Sequence, residues 1–129
     1  MKKILIVDDE EMVRNVLTLI LGELQFDSDA ALCAEEALGL IDRKSYDVVF
    51  TDYQMPGMNG IELIRHIRQK SPRSAVVLMT GCLDAEALRS SGADVCLRKP
   101  FSAHMVKETL DRAFREGPRV ESSGFPGRE

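Results

Sequence analysis

Residues 3–9 read KILIVDD, a short apolar run that ends in two carboxylates, Asp8 and Asp9. Three further apolar runs also end in a polar side chain: Asp52 after DVVFT, Thr80 after AVVLM and Lys99 after VCLR. Short apolar runs of this kind are typical of strands buried on both faces of a parallel sheet. Open α/β sheets place their ligand sites at the carboxyl ends of such strands. The four runs therefore predict one sheet edge that gathers three carboxylates, a hydroxyl and an ammonium group.

Helical patterns separate the apolar runs. Five segments favour strands: Ile4–Val7, Phe26–Leu32, Val48–Thr51, Ala75–Thr80 and Val95–Leu97. Four sets of apolar residues recur at helical spacing: Val13, Val16, Ile20 and Leu24; Leu38 and Ile41; Leu63, Ile64 and Ile67; Met105, Val106, Leu110 and Phe114. Repeated strand–helix alternation predicts an α/β fold in which helices cover both faces of a five-stranded parallel sheet. The second strand is the weakest prediction, because Asp27, Ser28 and Asp29 are polar.

The composition is that of a small globular protein. The 129 residues are 44% hydrophobic and 29% charged, with a net charge of −4 and no long basic run. This charge gives no reason to expect direct contact with nucleic acid or a membrane. The N-terminal apolar stretch is too short for a signal peptide or a membrane span, so a cytoplasmic location is expected. Three scattered cysteines, Cys33, Cys82 and Cys96, fit reduced thiols rather than a disulfide framework.

One domain is expected over residues 1–116. Its last helix is predicted to begin with Ser102 as N-cap and with Phe101 and Val106 as a hydrophobic staple. Residues 117–129 then hold three glycines and two prolines, with only Val120 and Phe125 apolar. Such a composition predicts a disordered tail or the stub of a linker.

The polar residues at the strand ends suggest a specific chemistry. Carboxylates of Asp8, Asp9 and Asp52 would repel one another, since two like charges about 4 Å apart cost roughly 4 kcal/mol at an effective dielectric near 20. A hard divalent cation removes that penalty, and an all-oxygen ligand set favours Mg²⁺. Asp52 could then stay ionised and attack phosphorus. Lys99 and the Thr80 hydroxyl are suited to hold the oxygens of a transferred phosphoryl group.

These residues resemble the signature of response-regulator receiver domains. The matching segments are Val7-Asp8-Asp9-Glu10, TDYQMPGMNG at 51–60, Thr80-Gly81 and Lys99-Pro100-Phe101. The resemblance extends in order from Lys2 to about Arg115. It implies a flavodoxin-like, doubly wound three-layer sandwich with strand order 2-1-3-4-5 and five helices. It also implies a two-component phosphoacceptor domain rather than an enzyme, with Mg²⁺-dependent self-phosphorylation and autodephosphorylation chemistry.

The resemblance also implies a role for each matching residue. Asp52 would accept a phosphoryl group from a sensor histidine kinase or a histidine phosphotransfer protein. Asp9, Asp52 and the Gln54 carbonyl would ligate Mg²⁺, with Asp8 acting through water. Lys99 would pair with the phosphate, across a Lys99–Pro100 bond expected to be cis. Thr80 would move toward the phosphate and change the surface offered to a downstream protein.

Two departures from the family pattern predict an atypical output path. Cys96 stands three positions before Lys99, where most receivers carry an aromatic residue that turns inward when the Thr80 position moves. Thr80 and Lys99 also lie closer together in the sequence than the resemblance implies. This spacing leaves residues 84–91 only about two turns of a fourth helix before Gly92.

Rival functions fit the residues less well. An aspartate-nucleophile phosphatase would need Asp-x-Asp after the first strand, where this chain has Asp8-Asp9-Glu10. A flavodoxin-like flavin binder and a P-loop hydrolase would each need a phosphate loop that is missing. The alternative that stays open is a receiver-like interaction module that works without phosphorylation, which Cys96 and the short fourth segment motivate. A Mg²⁺ titration of thermal stability would separate the two readings.

Overall fold

Five parallel strands form a single sheet in the computed structural model, which describes residues 2–81 and 89–116. The strands are β1 (Lys3–Val7), β2 (Asp27–Ala31), β3 (Val48–Asp52), β4 (Ala75–Thr80) and β5 (Val95–Arg98). Their order across the sheet is β2-β1-β3-β4-β5. The predicted parallel sheet and its strand order are confirmed, and each strand lies on the predicted run.

Helices cover both faces of this sheet. They are α1 (Glu11–Glu23), α2 (Ala34–Arg43), α3 (Gly60–Lys70) and α4 (Ala103–Glu116). One core joins α2 and α3 to one face, and a second core joins α1 and α4 to the other, which makes the predicted three-layer sandwich. The additional helix predicted near residues 84–91 falls largely outside the described residues, as do Cys82 and the tail predicted at 117–129.

Parallel pairing brings the carboxyl ends of the strands to a common edge. Val7 at the end of β1 pairs with Thr51 of β3, and Thr80 at the end of β4 pairs with Arg98 of β5. The residues that follow Val7, Thr51 and Arg98 are Asp8, Asp52 and Lys99. The register therefore aligns residues that are up to 91 positions apart in the sequence.

Helix α1 lies where the sequence predicts it, but its buried face differs. Leu17 and Leu21 are fully buried at the centre of that face. Val13 and Ile20 pack only partly against the core, and Val16 is 41% exposed. The helix has so many apolar residues that two overlapping sets satisfy the helical period, and packing on the sheet selects the one centred on the leucines.

The polar composition of β2 is explained by its position as an outermost strand of the sheet. Asp27 accepts a hydrogen bond from the Lys3 ammonium at 2.8 Å. Asp29 accepts hydrogen bonds from the Tyr46 hydroxyl at 2.6 Å and from the Lys44 ammonium at 3.2 Å. Edge strands commonly carry charged side chains, which discourage pairing with another chain. β2 therefore belongs to the sheet despite its composition.

The last helix begins as the sequence predicts. The Ser102 hydroxyl accepts a hydrogen bond from the Met105 amide at 3.2 Å, which is an N-cap contact. Phe101 and Val106 belong to the same apolar cluster, so the staple is consistent with the packing. Over the ranges 2–81 and 89–116, the helices are too short or too polar to cross a bilayer.

Candidate functional site

The turn between β1 and α1 fixes a fully buried carboxylate. The Asp8 amide donates to the Ala31 carbonyl at 3.1 Å, which ties the turn to β2. The Asp8 carboxylate accepts a hydrogen bond from the Glu10 amide at 2.9 Å. The backbone carbonyl of Asp8 accepts one from the Arg14 guanidinium, also at 2.9 Å. Asp8 is 0% exposed. A buried carboxylate persists only when it is paired or hydrogen-bonded. The Glu10 amide meets this need in part, and the other two contacts fix the Asp8 backbone.

Asp52 ends β3 and is held by its neighbour in the chain and by the start of α3. The Tyr53 amide donates to Asp52 Oδ1 at 3.0 Å. The Gly60 amide donates to the Tyr53 carbonyl at 2.9 Å, and Asn59 and Glu62 form a capping box at the start of the helix. The first turn of α3 thus lies directly against the backbone that carries the Asp52 carboxylate.

Lys99 joins the two buried acids. Its ammonium lies 2.8 Å from Asp8 Oδ2 and 3.1 Å from Asp52 Oδ1. Glu10 Oε1 is a third carboxylate oxygen, at 3.6 Å. The Lys99 amide donates to the Thr80 carbonyl at 2.9 Å, which places the lysine beside the end of β4. The Lys99–Pro100 peptide bond is cis.

Burial and neighbouring charges both shift the pKa values of Asp52 and Lys99. Burial raises the pKa of the Asp52 carboxyl; the hydrogen bond from Lys99 opposes this shift, and the charge of Asp8 adds to it. Burial alone would lower the pKa of Lys99, but hydrogen bonds to Asp8 and Asp52 outweigh burial, and the pKa of the ammonium is raised. Both groups therefore hold their protons more tightly: Asp52 chiefly because it is buried, and Lys99 because two carboxylates accept its hydrogen bonds.

The donor set suits a hard divalent cation. Asp8, Asp9 and Asp52 each offer a carboxylate oxygen, and these three atoms all lie within 4.8 Å of one another. Asp9 is exposed, whereas the other two acids are buried. Oxygen-only ligands with room for water are the preference of Mg²⁺. The residues present therefore fit the ion that the sequence resemblance implies.

An open cleft of about 350 Å³ gives access to these groups. Its lining residues are Asp9, Glu10, Asp52, Tyr53, Gln54, Thr80, Gly81 and Lys99. The structure thus brings the predicted acids, Gln54, Thr80 and Lys99 to one place. Cys96 is exposed on β5 and is not among the residues that line the cleft.

Three contributors to the site were not anticipated from the sequence: Glu10, Arg14 and Gly60. Glu10 was visible only as part of Asp8-Asp9-Glu10, and Gly60 only as the end of a matching segment. Arg14 had no distinguishing signal, because one basic residue on an amphipathic helix is ordinary.

Comparisons with known proteins agree with this geometry. The response regulator receiver domain family matches residues 4–111. The response regulator protein PilR of Pseudomonas aeruginosa is 33% identical, over 98% of this chain and 29% of PilR. The chemotaxis protein CheY-3 of Vibrio cholerae is 36% identical, over 87% of this chain and 91% of CheY-3. The crystal structure of the response regulator TrrA of Thermotoga maritima in complex with Mg²⁺-BeF has a TM-score of 0.78 at 34% identity, covering 87% of this chain and 98% of TrrA. The chain therefore spans less than a third of PilR and most of CheY-3.

Proposed function

This chain belongs to the response regulator receiver domain family, and on that premise we propose that Asp52 accepts a phosphoryl group from a sensor histidine kinase or a histidine phosphotransfer protein. The observation that carries the proposal is the Lys99 ammonium, which bridges buried Asp8 and Asp52 at the cleft. A further support is the complex of TrrA with Mg²⁺-BeF. Asp8, Asp9, Asp52 and the Gln54 carbonyl would hold Mg²⁺ in this chain.

The transfer itself is a displacement at phosphorus. A carboxylate oxygen of Asp52 forms the new bond, while the bond between phosphorus and the imidazole nitrogen of the donor breaks. The electron pair of that bond stays on the nitrogen, which takes up a proton. Lys99 and the Tyr53 amide hold the Asp52 carboxylate in place, and Lys99 is close enough to pair with the incoming oxygens. Bound Mg²⁺ supplies positive charge that neutralises the acids and the phosphoryl group.

Phosphorylation would act on the surface through Thr80. Its side chain is buried at the end of β4 and lines the cleft that would hold the phosphate. A phosphoaspartate adds negative charge and strong hydrogen-bond acceptors, which would draw the hydroxyl inward. Because the small, exposed Cys96 stands where most receivers carry an aromatic residue, the route to the output surface is proposed to be atypical.

We expect the wild-type protein to gain one phosphate from acetyl phosphate only when Mg²⁺ is present. The three acids repel an anionic donor, and a bound cation removes that barrier. Intact-mass spectrometry after incubation with Mg²⁺ or with EDTA measures the result. Equal labelling in both samples would contradict the metal-dependent mechanism. Absent labelling, together with a melting temperature that Mg²⁺ leaves unchanged, would favour the phosphorylation-independent module.

We expect Asp52→Asn to raise the melting temperature in Mg²⁺-free buffer at neutral pH. The pKa of Asp52 is raised, so its contribution to stability is present below its unfolded-state pKa and is lost as the pH rises through its folded-state pKa. The advantage of the variant should therefore shrink as the pH falls. Each 1 kcal/mol corresponds to roughly 3–5 °C in a domain of this size. Thermal melts across pH measure it, and a variant that melts below the wild type without Mg²⁺ would refute the argument.

A further inference from the structure

The Arg14 guanidinium donates a hydrogen bond to a backbone carbonyl, although four acidic residues lie just before it in the sequence. It lies in the first turn of α1. Four acids occupy positions 8–11, and two residues separate them from Arg14. Its Nη1 atom donates to the Asp8 carbonyl at 2.9 Å. Within the described part of the chain, no carboxylate lies within ion-pair distance of Arg14. The guanidinium therefore fixes the main chain rather than neutralising a nearby acid.

The carbonyl that Arg14 holds belongs to the peptide joining Asp8 to Asp9. Asp8 is independently fixed through its amide and its carboxylate. Asp9 is different, because its exposed side chain makes no hydrogen bond or ion pair with any residue that the structure describes. The backbone therefore determines where the Asp9 side chain begins, and two side chains anchor that backbone: Arg14 on the Asp8 carbonyl and Asp8 on the Glu10 amide.

We propose that Arg14 is a positioning residue for the cation site: it holds the Asp8–Asp9 peptide so that the Asp9 carboxylate stays within ligand distance of Asp8 and Asp52. The inference rests on the proposed function, since it assumes that these acids bind Mg²⁺. Residues that orient metal ligands without touching the metal commonly change affinity by about 10–100-fold when replaced.

Removing Arg14 has two opposing effects on Mg²⁺ affinity, and this makes the proposal testable. Loss of a positive charge near a cation site would by itself strengthen Mg²⁺ binding, because repulsion falls. Loss of the hydrogen bond would weaken Mg²⁺ binding, because the Asp8–Asp9 peptide that carries the Asp9 side chain is no longer held in place. Arg14→Ala therefore distinguishes positioning from simple electrostatics by the direction of the change.

The experiment is isothermal titration calorimetry of the full chain with Mg²⁺. We expect the affinity of Arg14→Ala to fall at least about tenfold, and that of Arg14→Lys, which keeps the charge and one donor, to fall less. Arg73→Ala is the matched control. Arg73 is exposed in the turn before β4, at the amino ends of the strands, whereas the cleft lies at their carboxyl ends. The Mg²⁺ affinity of this variant should equal that of the wild type.

A double-mutant cycle with Asp9→Asn identifies the route. If Arg14 acts through Asp9, Arg14→Ala should have little further effect on Mg²⁺ affinity in the Asp9→Asn background. Unchanged or tighter binding by Arg14→Ala would overturn the inference while leaving the proposed function intact. Absent binding by the wild type would instead overturn the proposed function. Should Arg14→Ala fail to fold, Arg14→Lys carries the test, and affinity equal to or above wild type would reject the proposal.

Discussion

Asp52→Asn is expected to take up no phosphate from acetyl phosphate and Mg²⁺, at least roughly a 100-fold loss, because removing the nucleophile removes the covalent step. The amide nitrogen of asparagine is a poor nucleophile, and its amide oxygen carries no full negative charge. The variant keeps the size of the side chain and an acceptor for the Lys99 and Tyr53 hydrogen bonds. The fold around the cleft should therefore be preserved, and the loss should reflect chemistry alone.

The measurement is intact-mass spectrometry of both proteins after the same incubation. Asp111→Asn is a matched control, since it makes the same change of charge at an exposed position on α4. It should gain one phosphate, as the wild type does. Labelling of Asp52→Asn to the wild-type level would show that another residue accepts the phosphate, and the assignment of the site would fail.

Gly60→Ala is expected to destabilise the protein and to displace Asp52. A Cβ atom at position 60 would overlap the carbonyl oxygen of Asp52 and would lie 3.0 Å from the Tyr53 Cα atom. Both obstacles are backbone, so the clash cannot be relieved by a change of rotamer. Overpacking of this kind costs about 3 kcal/mol at the upper end of its usual range. The melting temperature should then fall by roughly 10 °C.

The displacement should also slow phosphorylation, because the carboxylate would leave the position from which it faces the cleft. Thermal melts and the initial rate of labelling by acetyl phosphate measure the two effects separately. Gly22→Ala is the matched control: it lies inside α1 with nothing within 4 Å of the added atom. That variant should be more stable by about 0.5–1 kcal/mol, since alanine favours the helix. If the two variants had the same melting temperature and labelling rate, contact with Asp52 would not be the reason that position 60 requires glycine.

Several features of the site could be predicted because they depend on strand ends alone. Asp8, Asp52, Thr80 and Lys99 each lie at or just after the end of an apolar run. In a parallel sheet every strand ends at the same edge, so side chains at those ends are brought near one another whatever the details of packing. The sequence was therefore sufficient to predict the fold class and the principal polar groups of the cleft.

Other features depend on distances that no local pattern encodes. The sequence placed Val13, Val16, Ile20 and Leu24 at helical spacing in the first helical segment. Val13, Ile20 and Leu24 pack partly against the core, whereas Leu17 and Leu21 are the fully buried residues. The period of a helix does not specify which of two overlapping apolar sets meets the sheet. The weak second strand is a similar case, because partners such as Lys3 become available to Asp27 only after the edge of the sheet has formed.

The amino-acid sequence by itself determined the alternation of strands and helices and, through it, which polar residues share an edge of the sheet. Only the tertiary structure decided how that edge is held: Lys99 between Asp8 and Asp52, Arg14 on the Asp8 carbonyl, and Gly60 against the Asp52 backbone. The physical reason is the distance along the chain over which each kind of interaction acts. Secondary structure and strand ends follow from neighbouring residues, whereas these contacts require angstrom-scale positions set by register and packing across the whole domain.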